Sequence, residues 1–157
     1  MEITIRRATA MDSSDLLAWR NDPETIAASI SPHAVAPSDH AAWLTRALED
    51  ELRALYLAVY TPPESAARNI GMVRFDLTED ASAAEVSINL APESRGLGLS
   101  EPVLRAAIET FRTEFGPLAL TATIRHENGA SHRVFAGIGF QITGSADGLD
   151  RLAANPE

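Results

Sequence analysis

The chain has 157 residues, of which 45% are apolar and 22% charged, and its formal net charge is −9. That length and mixture fit one globular domain over 1–157 that builds its own core. The acidic balance argues against a nucleic-acid partner, and the absence of cysteine excludes disulfide scaffolds, thiolate metal sites and a cysteine nucleophile.

Met1 to Arg7 lacks the basic-then-apolar pattern of a signal peptide. No apolar stretch approaches the roughly 20 residues of a membrane span, so a cytoplasmic protein without a membrane partner is expected. Ile3 and Ile5 alternate with polar neighbours as in a first strand. Asp12-Ser13-Ser14 offers a cap for a helix through Leu16, Trp19 and Arg20, which Asp22-Pro23 interrupts. A loop with at most one helical turn is expected from there to Pro37. Ser38 is expected to cap the next helix, whose apolar side is read from Leu44, Leu48 and Leu52 with Ala41 and Ala47.

Ala54–Tyr60 and Ile70–Leu77 read as the arms of a hairpin. Glu85, Ser87 and Asn89 alternate with Val86, Ile88 and Leu90, a strand with one polar face. After Gly96 and Gly98, a helix opens near Glu101-Pro102 and presents Leu104, Ala107, Ile108, Phe111 and Phe115. Leu118–Ile124 is a strand, Ser131 to Ile138 a helix, and Gly139-Phe140-Gln141-Ile142 starts a last strand. The tail after about 145 is weakly patterned and expected to fray. The order β-α-α-β-β-β-α-β-α-β predicts an α/β (α+β) domain, a mixed sheet with helices on its faces.

The segment richest in chemistry is the strand, glycine turn and helix start from Ser87 to Arg105. Glycines let a backbone approach an anion, and the first amides of a helix have no partner inside it. They point outward at the positive end of the helix dipole, where phosphate binds well. Arg95 adds a cation on the same turn. Taken alone, a Gly-x-Gly pair can equally be a βα turn with no ligand.

Arg95-Gly96-Leu97-Gly98-Leu99-Ser100 resembles motif A of the GNAT N-acetyltransferase superfamily, with Ser100 at its last small position. Asn128, Ser131, Phe135 and Gly139-Phe140 resemble its motif B, with phenylalanine where a tyrosine often stands. The front of the chain, Leu16 to Pro23 and Ser38 to Trp43, is similar to a branch with amino-sugar and ribosomal-protein acetyltransferases. The resemblance implies the GNAT fold, with six to seven strands and about four helices, and a monomer or homodimer that uses acetyl-CoA.

It also implies site roles. Asn89, Leu90 and Ala91 would line the pantetheine arm. Arg95, Gly96, Leu97, Gly98, Leu99 and Ser100 would hold the pyrophosphate. Asn128, Ser131 and Phe135 would stand beside the cofactor. The expected acceptor is a small primary amine, such as that of a nucleotide-linked amino sugar; protein N-terminal acetylation and non-catalytic acyl-CoA binding are the alternatives. Such an amine has a pKa near 10.4, so its neutral form at pH 7 costs about 4.6 kcal/mol, which makes a base valuable. Glu85 is the candidate base, against the alternative of a solvent-facing strand glutamate, and Asp76 is a weaker candidate. Trp19, Arg20, His40 and Arg74 are candidate substrate residues; the alternatives are core packing for Trp19, an exposed helix position for His40 and surface ion pairs for Arg20 and Arg74. The four histidines are spread too widely to predict a metal site.

Overall fold

The computed structural model describes residues 2–156. Its seven strands form one sheet: β1 (Glu2–Arg7), β2 (Arg53–Thr61), β3 (Arg68–Leu77), β4 (Ala83–Leu90), β5 (Ala119–Arg125), β6 (Gln141–Ala146) and β7 (Leu149–Ala154). Their spatial order is β1-β2-β3-β4-β5-β7-β6. All neighbours are antiparallel except β4 and β5. A parallel pair needs a crossover, which helix α4 (Ser100–Phe115) supplies. The other helices are α1 (Ser13–Arg20), α2 (Pro23–Ala28), α3 (Pro37–Glu49) and α5 (Gly129–Gly137).

The alternation of β4 divides the protein into two layers. Ala84, Val86 and Leu90 join the larger core with Val103, Leu104, Ala107 and Phe111 of α4 and Phe135 of α5. On the other face Leu55, Leu57 and Ala91 pack with Leu16, Trp19 and Leu44 of α1 and α3. At the centre of the larger core, Phe75 stacks on Phe111 with ring centroids 4.1 Å apart. No helix among the described residues is long and apolar enough to cross a membrane.

Several local expectations need correction. Asp12 does not cap α1; it is 5% exposed and takes two hydrogen bonds from Arg6, at 2.8 and 2.9 Å. The stretch after Asp22 contains a true helix. Asp22 accepts from the amides of Glu24 and Thr25, and Pro23 sits in the first turn, where its missing amide costs nothing. Ser38 is inside α3, whose first residue is Pro37. The buried side of α3 is His40, Leu44 and Ala47, while Leu48 is 37% exposed, as is Leu52, which lies past the helix end at Glu49. A strict four-residue repeat drifts about 40° per step around a helix, so that row leaves the core.

The tail does not fray. β7 inserts between β5 and β6, with Leu152 2% exposed. Asp147 and Gly148 join the hairpin with φ values of 55° and 77°, the left-handed pair that a two-residue type I′ turn requires.

Candidate functional site

β4 and β5 pair only from Ala83↔Ala119 to Glu85↔Thr121. Beyond that point residues 86–90 and 122–125 run on without a shared ladder, so the two strands fork toward their carboxyl ends. Alternation decides which β4 groups face the fork. The amide of Ala91 donates to the Ile70 carbonyl at 2.8 Å, and hydrogen-bonded pairs recur every second residue in an antiparallel ladder. In the Gly71↔Leu90 register, Asn89 and Ala91 therefore spend their backbone groups on β3. Ile88 and Leu90 direct theirs into the fork. Of Asn89, Leu90 and Ala91, only Leu90 turns its backbone groups, with those of Ile88, into the fork; Asn89 and Ala91 have theirs turned to β3.

The chain leaves β4 through a short 3-10 turn at Pro92–Ser94 and reaches Arg95 to Leu99. Gly96 and Gly98 have φ values of 74° and 71°, a conformation that costs a side-chain-bearing residue roughly 1–2 kcal/mol. Leu99 turns inward at 4% exposure and anchors the turn, whereas Leu97 is 61% exposed. Ser100 is the first residue of α4 and not its cap; no side chain caps this helix. The amides of Gly96 through Glu101 donate to no other described residue, and the first bond of the helix is Val103 N to Leu99 O, 3.0 Å. A run of free donors at the positive end of a four-turn helix is an anion site in waiting.

The guanidinium of Arg95 does not join these amides. It donates to Asp22 at 2.7 Å, Glu24 at 3.1 Å, Thr25 Oγ1 at 2.6 Å and the Leu90 carbonyl at 3.3 Å. Arg95 beside Asp22 holds that carboxyl below the usual carboxylate range. The expected phosphate cation is thus a tie between the turn and α2.

On the α1–α3 face, Glu85 stands where the fork begins, and its Oε1 accepts from Thr123 Oγ1 at 2.7 Å. Ser87 and Asn89 continue the same polar face upward. α2 and the segment after it lie across the fork. Thr25 Oγ1 donates to Asn89 Oδ1 at 3.1 Å, and Arg125 Nε donates to the Ser29 carbonyl at 2.8 Å. The result is a polar sheet face with a carboxylate at the root of the fork and a helical strap tied across it.

A family model, the acetyltransferase (GNAT) domain, matches residues 2–141. The chain belongs to this family. No curated protein matches it significantly by sequence. Among solved structures, the GNAT chain is similar to a domain from Methanocaldococcus jannaschii at 20% identity, covering 98% of each chain with a TM-score of 0.84. It is also similar to spermidine N-acetyltransferase from Vibrio cholerae in complex with CoA and spermine, at 17% identity, covering 98% of this chain and 95% of that one with a TM-score of 0.82. An aminoglycoside acetyltransferase in complex with ribostamycin and coenzyme A matches at 18% identity, covering 99% and 94%, with a TM-score of 0.83. At these identities the likeness establishes the GNAT fold, the α/β architecture expected from the sequence.

The remaining candidates of this GNAT chain divide by burial and partners. Phe135 is 3% exposed and meets Phe140 edge-on, ring centroids 5.0 Å apart, so its ring is core. Asn128 caps α5 by accepting from the Ser131 amide at 3.2 Å. Trp19 and His40, expected at the substrate, are 5% and 4% exposed and pack between the layers. Burial, and then the nearby charge of Arg20, lowers the His40 pKa. Arg20 donates to the Ser31 carbonyl at 2.8 Å. Arg74 donates to Asp76 at 3.0 Å, and Arg53 stands 2.9 Å from the other carboxylate oxygen. Both carboxylate oxygens of Asp76 therefore face arginines. Sequence reasoning missed Asn21, which exchanges two 2.8 Å hydrogen bonds with Val35, and Arg125, which holds the strap. The Asp-Pro pair was the available signal for the strap, since aspartate at the cap and proline at the first position start helices.

Proposed function

We propose that this GNAT acetyltransferase transfers the acetyl group of acetyl-CoA to the primary amine of a small molecule, with the coenzyme lying in the β4–β5 fork. The observation that carries this is the run of free amides from Gly96 through Glu101 at the head of α4. That donor set fits the coenzyme's pyrophosphate, because backbone amides at a helix start satisfy several phosphate oxygens at once. The fork-facing groups of Ile88 and Leu90 would pair with the amides of the pantetheine arm. Asn128 and Ser131, at the carboxyl end of the neighbouring strand, would border its other side. When bound, the coenzyme supplies an activated acyl group.

Glu85 is the residue we assign to deprotonating the ammonium form of the acceptor. It is half-buried at the root of the fork, and the Thr123 hydroxyl holds one oxygen in place. Nothing in the structure gives Phe135 a hydroxyl for the departing sulfur. A thiol with a pKa near 8.5 leaves at pH 7 for a cost of only about 2 kcal/mol, so transfer proceeds without that acid.

The acceptor we infer is hydroxylated and compact, such as a nucleotide-linked amino sugar. This polar face offers Ser87, Asn89, Thr25 and Thr123 as hydrogen-bonding groups, with Arg74, opposite Ser87 on β3, and Arg20 of α1 for an anionic substituent. Thiol release from acetyl-CoA tests this, with UDP-amino sugars, free amino sugars, polyamines and N-terminal peptides as acceptors. We expect turnover with the sugars. Activity confined to peptides selects protein N-terminal acetylation. Saturable coenzyme binding with no turnover on any amine makes the chain an acyl-CoA-binding regulator.

A further inference from the structure

Outside the fork, one buried ionisable group has no part in the chemistry above. Asp150 is 2% exposed on β7, between β5 and β6. Its Oδ1 accepts from Ser145 Oγ at 2.6 Å, and its Oδ2 lies 2.9 Å from His126 Nδ1. His132 Nε2 is 3.1 Å from the same Oδ2, at ion-pair distance but poorly aligned for a hydrogen bond. These side chains do not form a metal-holding group.

The position is unusual for an acid. On its own face of β7 the next residue is Leu152 in the main core, and the facing residues of β5 are Ile124 and Ala122. Burying a carboxylate there is unfavourable unless its oxygens are satisfied, and an apolar residue would pack with less cost. The Ser145 hydroxyl, followed by the histidines, overcomes burial and holds Asp150 below the usual carboxylate range.

What the carboxylate reaches explains its place. His126 is the first residue after β5, and His132 lies in the first turns of α5. Between them runs the turn that carries Asn128. That turn is otherwise held by short-range bonds: Asn128 N to Arg125 O at 2.9 Å, Gly129 N to Glu127 O at 3.0 Å, and the Asn128 cap on Ser131. One anchor from outside is the His126 amide on the Gly148 carbonyl, 2.9 Å, and that carbonyl is also on the β6–β7 hairpin. β4 and β5 are parallel, so this turn and the Gly96–Leu99 turn stand at the same end of the fork, the end where open α/β sheets bind ligands.

We propose that Asp150 is a positioning residue for the coenzyme: by holding His126 and His132, it fixes both flanks of the turn that presents Asn128 and the first amides of α5 to the fork. This rests on the coenzyme reading given above. The carboxylate, hydrogen-bonded to His126 and within ion-pair distance of His132, joins a strand, a turn and a helix through one buried group, which no apolar side chain can do.

The test uses the full chain and coenzyme A alone. Asp150→Asn keeps an acceptor for Ser145 and nearly the same shape but removes the charge shared by the two histidines. Calorimetric titration should give a dissociation constant raised about tenfold, the loss of one charge-assisted contact's worth of order. Amide NMR resonances of Asn128, Gly129 and Ser131 should shift in the unliganded variant. His126→Gln/His132→Gln, with Asp150 intact, should weaken binding similarly, and adding Asp150→Asn to it should weaken it little further. The double histidine variant also serves if Asp150→Asn does not fold. A lower melting temperature with unchanged coenzyme affinity in both variants overturns the proposal and leaves Asp150 a stability residue. If the wild-type chain itself binds no coenzyme A, the coenzyme reading fails first, and the positioning role falls with it.

Discussion

Gly71 offers a test of how the fork is built. It lies on β3 opposite Leu90, the last residue of β4. A Cβ at Gly71 would stand 2.8 Å from Leu90 Cδ2, 3.0 Å from the Asn89 carbonyl oxygen and 3.2 Å from Leu90 Cα. The first contact is a side-chain tip and can move. The other two are backbone, so Gly71→Ala must push the end of β4 away from β3. Overpacking of this kind costs about 1–3 kcal/mol. For a domain of this size each kcal/mol lowers the melting temperature by about 2–4 °C, so 2 kcal/mol predicts a fall of about 4–8 °C. Because Leu90 also directs its backbone into the fork, coenzyme A affinity should drop at the same time. Differential scanning calorimetry and titration calorimetry on the same preparations measure both. A variant as stable as the wild type, with unchanged affinity, would refute the claim that β4 is held against β3 by the absence of a side chain at 71.

Gly98 presents the opposite case, since nothing lies within 4 Å of its would-be Cβ and only its φ of +71° resists substitution. Gly98→Ala should therefore reorient the turn amides and weaken coenzyme A binding by tenfold or more while costing only about 1–2 kcal/mol of stability; titration and thermal melts separate the two. Glu85→Gln should lower kcat by about 10²–10⁴ with coenzyme affinity preserved, and a steady-state profile showing wild-type kcat makes Glu85 a bystander. Arg95→Ala frees α2 from Asp22, Glu24 and Thr25, so the acceptor KM should rise about tenfold and more than the acetyl-CoA KM; equal rises would place the guanidinium at the coenzyme after all. The His40 pKa is lowered in the folded chain from 6.5. The unfolded chain then binds the extra proton first, so this contribution to stability is complete above pH 6.5 and is lost as pH falls through the folded value. Denaturant melts of His40→Phe between pH 7.5 and 5 should show a flatter dependence than the wild type, and parallel curves would show that His40 stays neutral or charged in both states alike.

The two glycines and the helix after them were readable because each answers to local chemistry: a backbone turned to positive φ, and donors that a helix cannot use itself. The core face of α4 was readable for the same reason, since Leu104, Ala107, Ile108 and Phe111 repeat at helical spacing and are buried. Where tertiary partners decide, the sequence was silent. Arg95 carries a charge suited to phosphate, yet Asp22 and Glu24, far away in the chain, capture it. Trp19 reads either as core or as a ligand-stacking ring, and His40 as substrate-facing or exposed, until the helices that bear them are seen to turn both inward. The spent backbones of Asn89 and Ala91 depend on ladder register, which no local pattern fixes. β7 is a different kind of miss. Asp147-Gly148 announced a hairpin, but its second strand carries a buried acid, Asp150, which breaks the alternation that marks a strand.

The most direct test of the account is titration calorimetry of the wild-type chain with coenzyme A and with pantetheine, which lacks the pyrophosphate. Saturable binding of one coenzyme A per chain, with pantetheine weaker by orders of magnitude, is the result expected if the amides from Gly96 through Glu101 hold the linked phosphates. No heat with coenzyme A, or equal affinity for the two compounds, would contradict it.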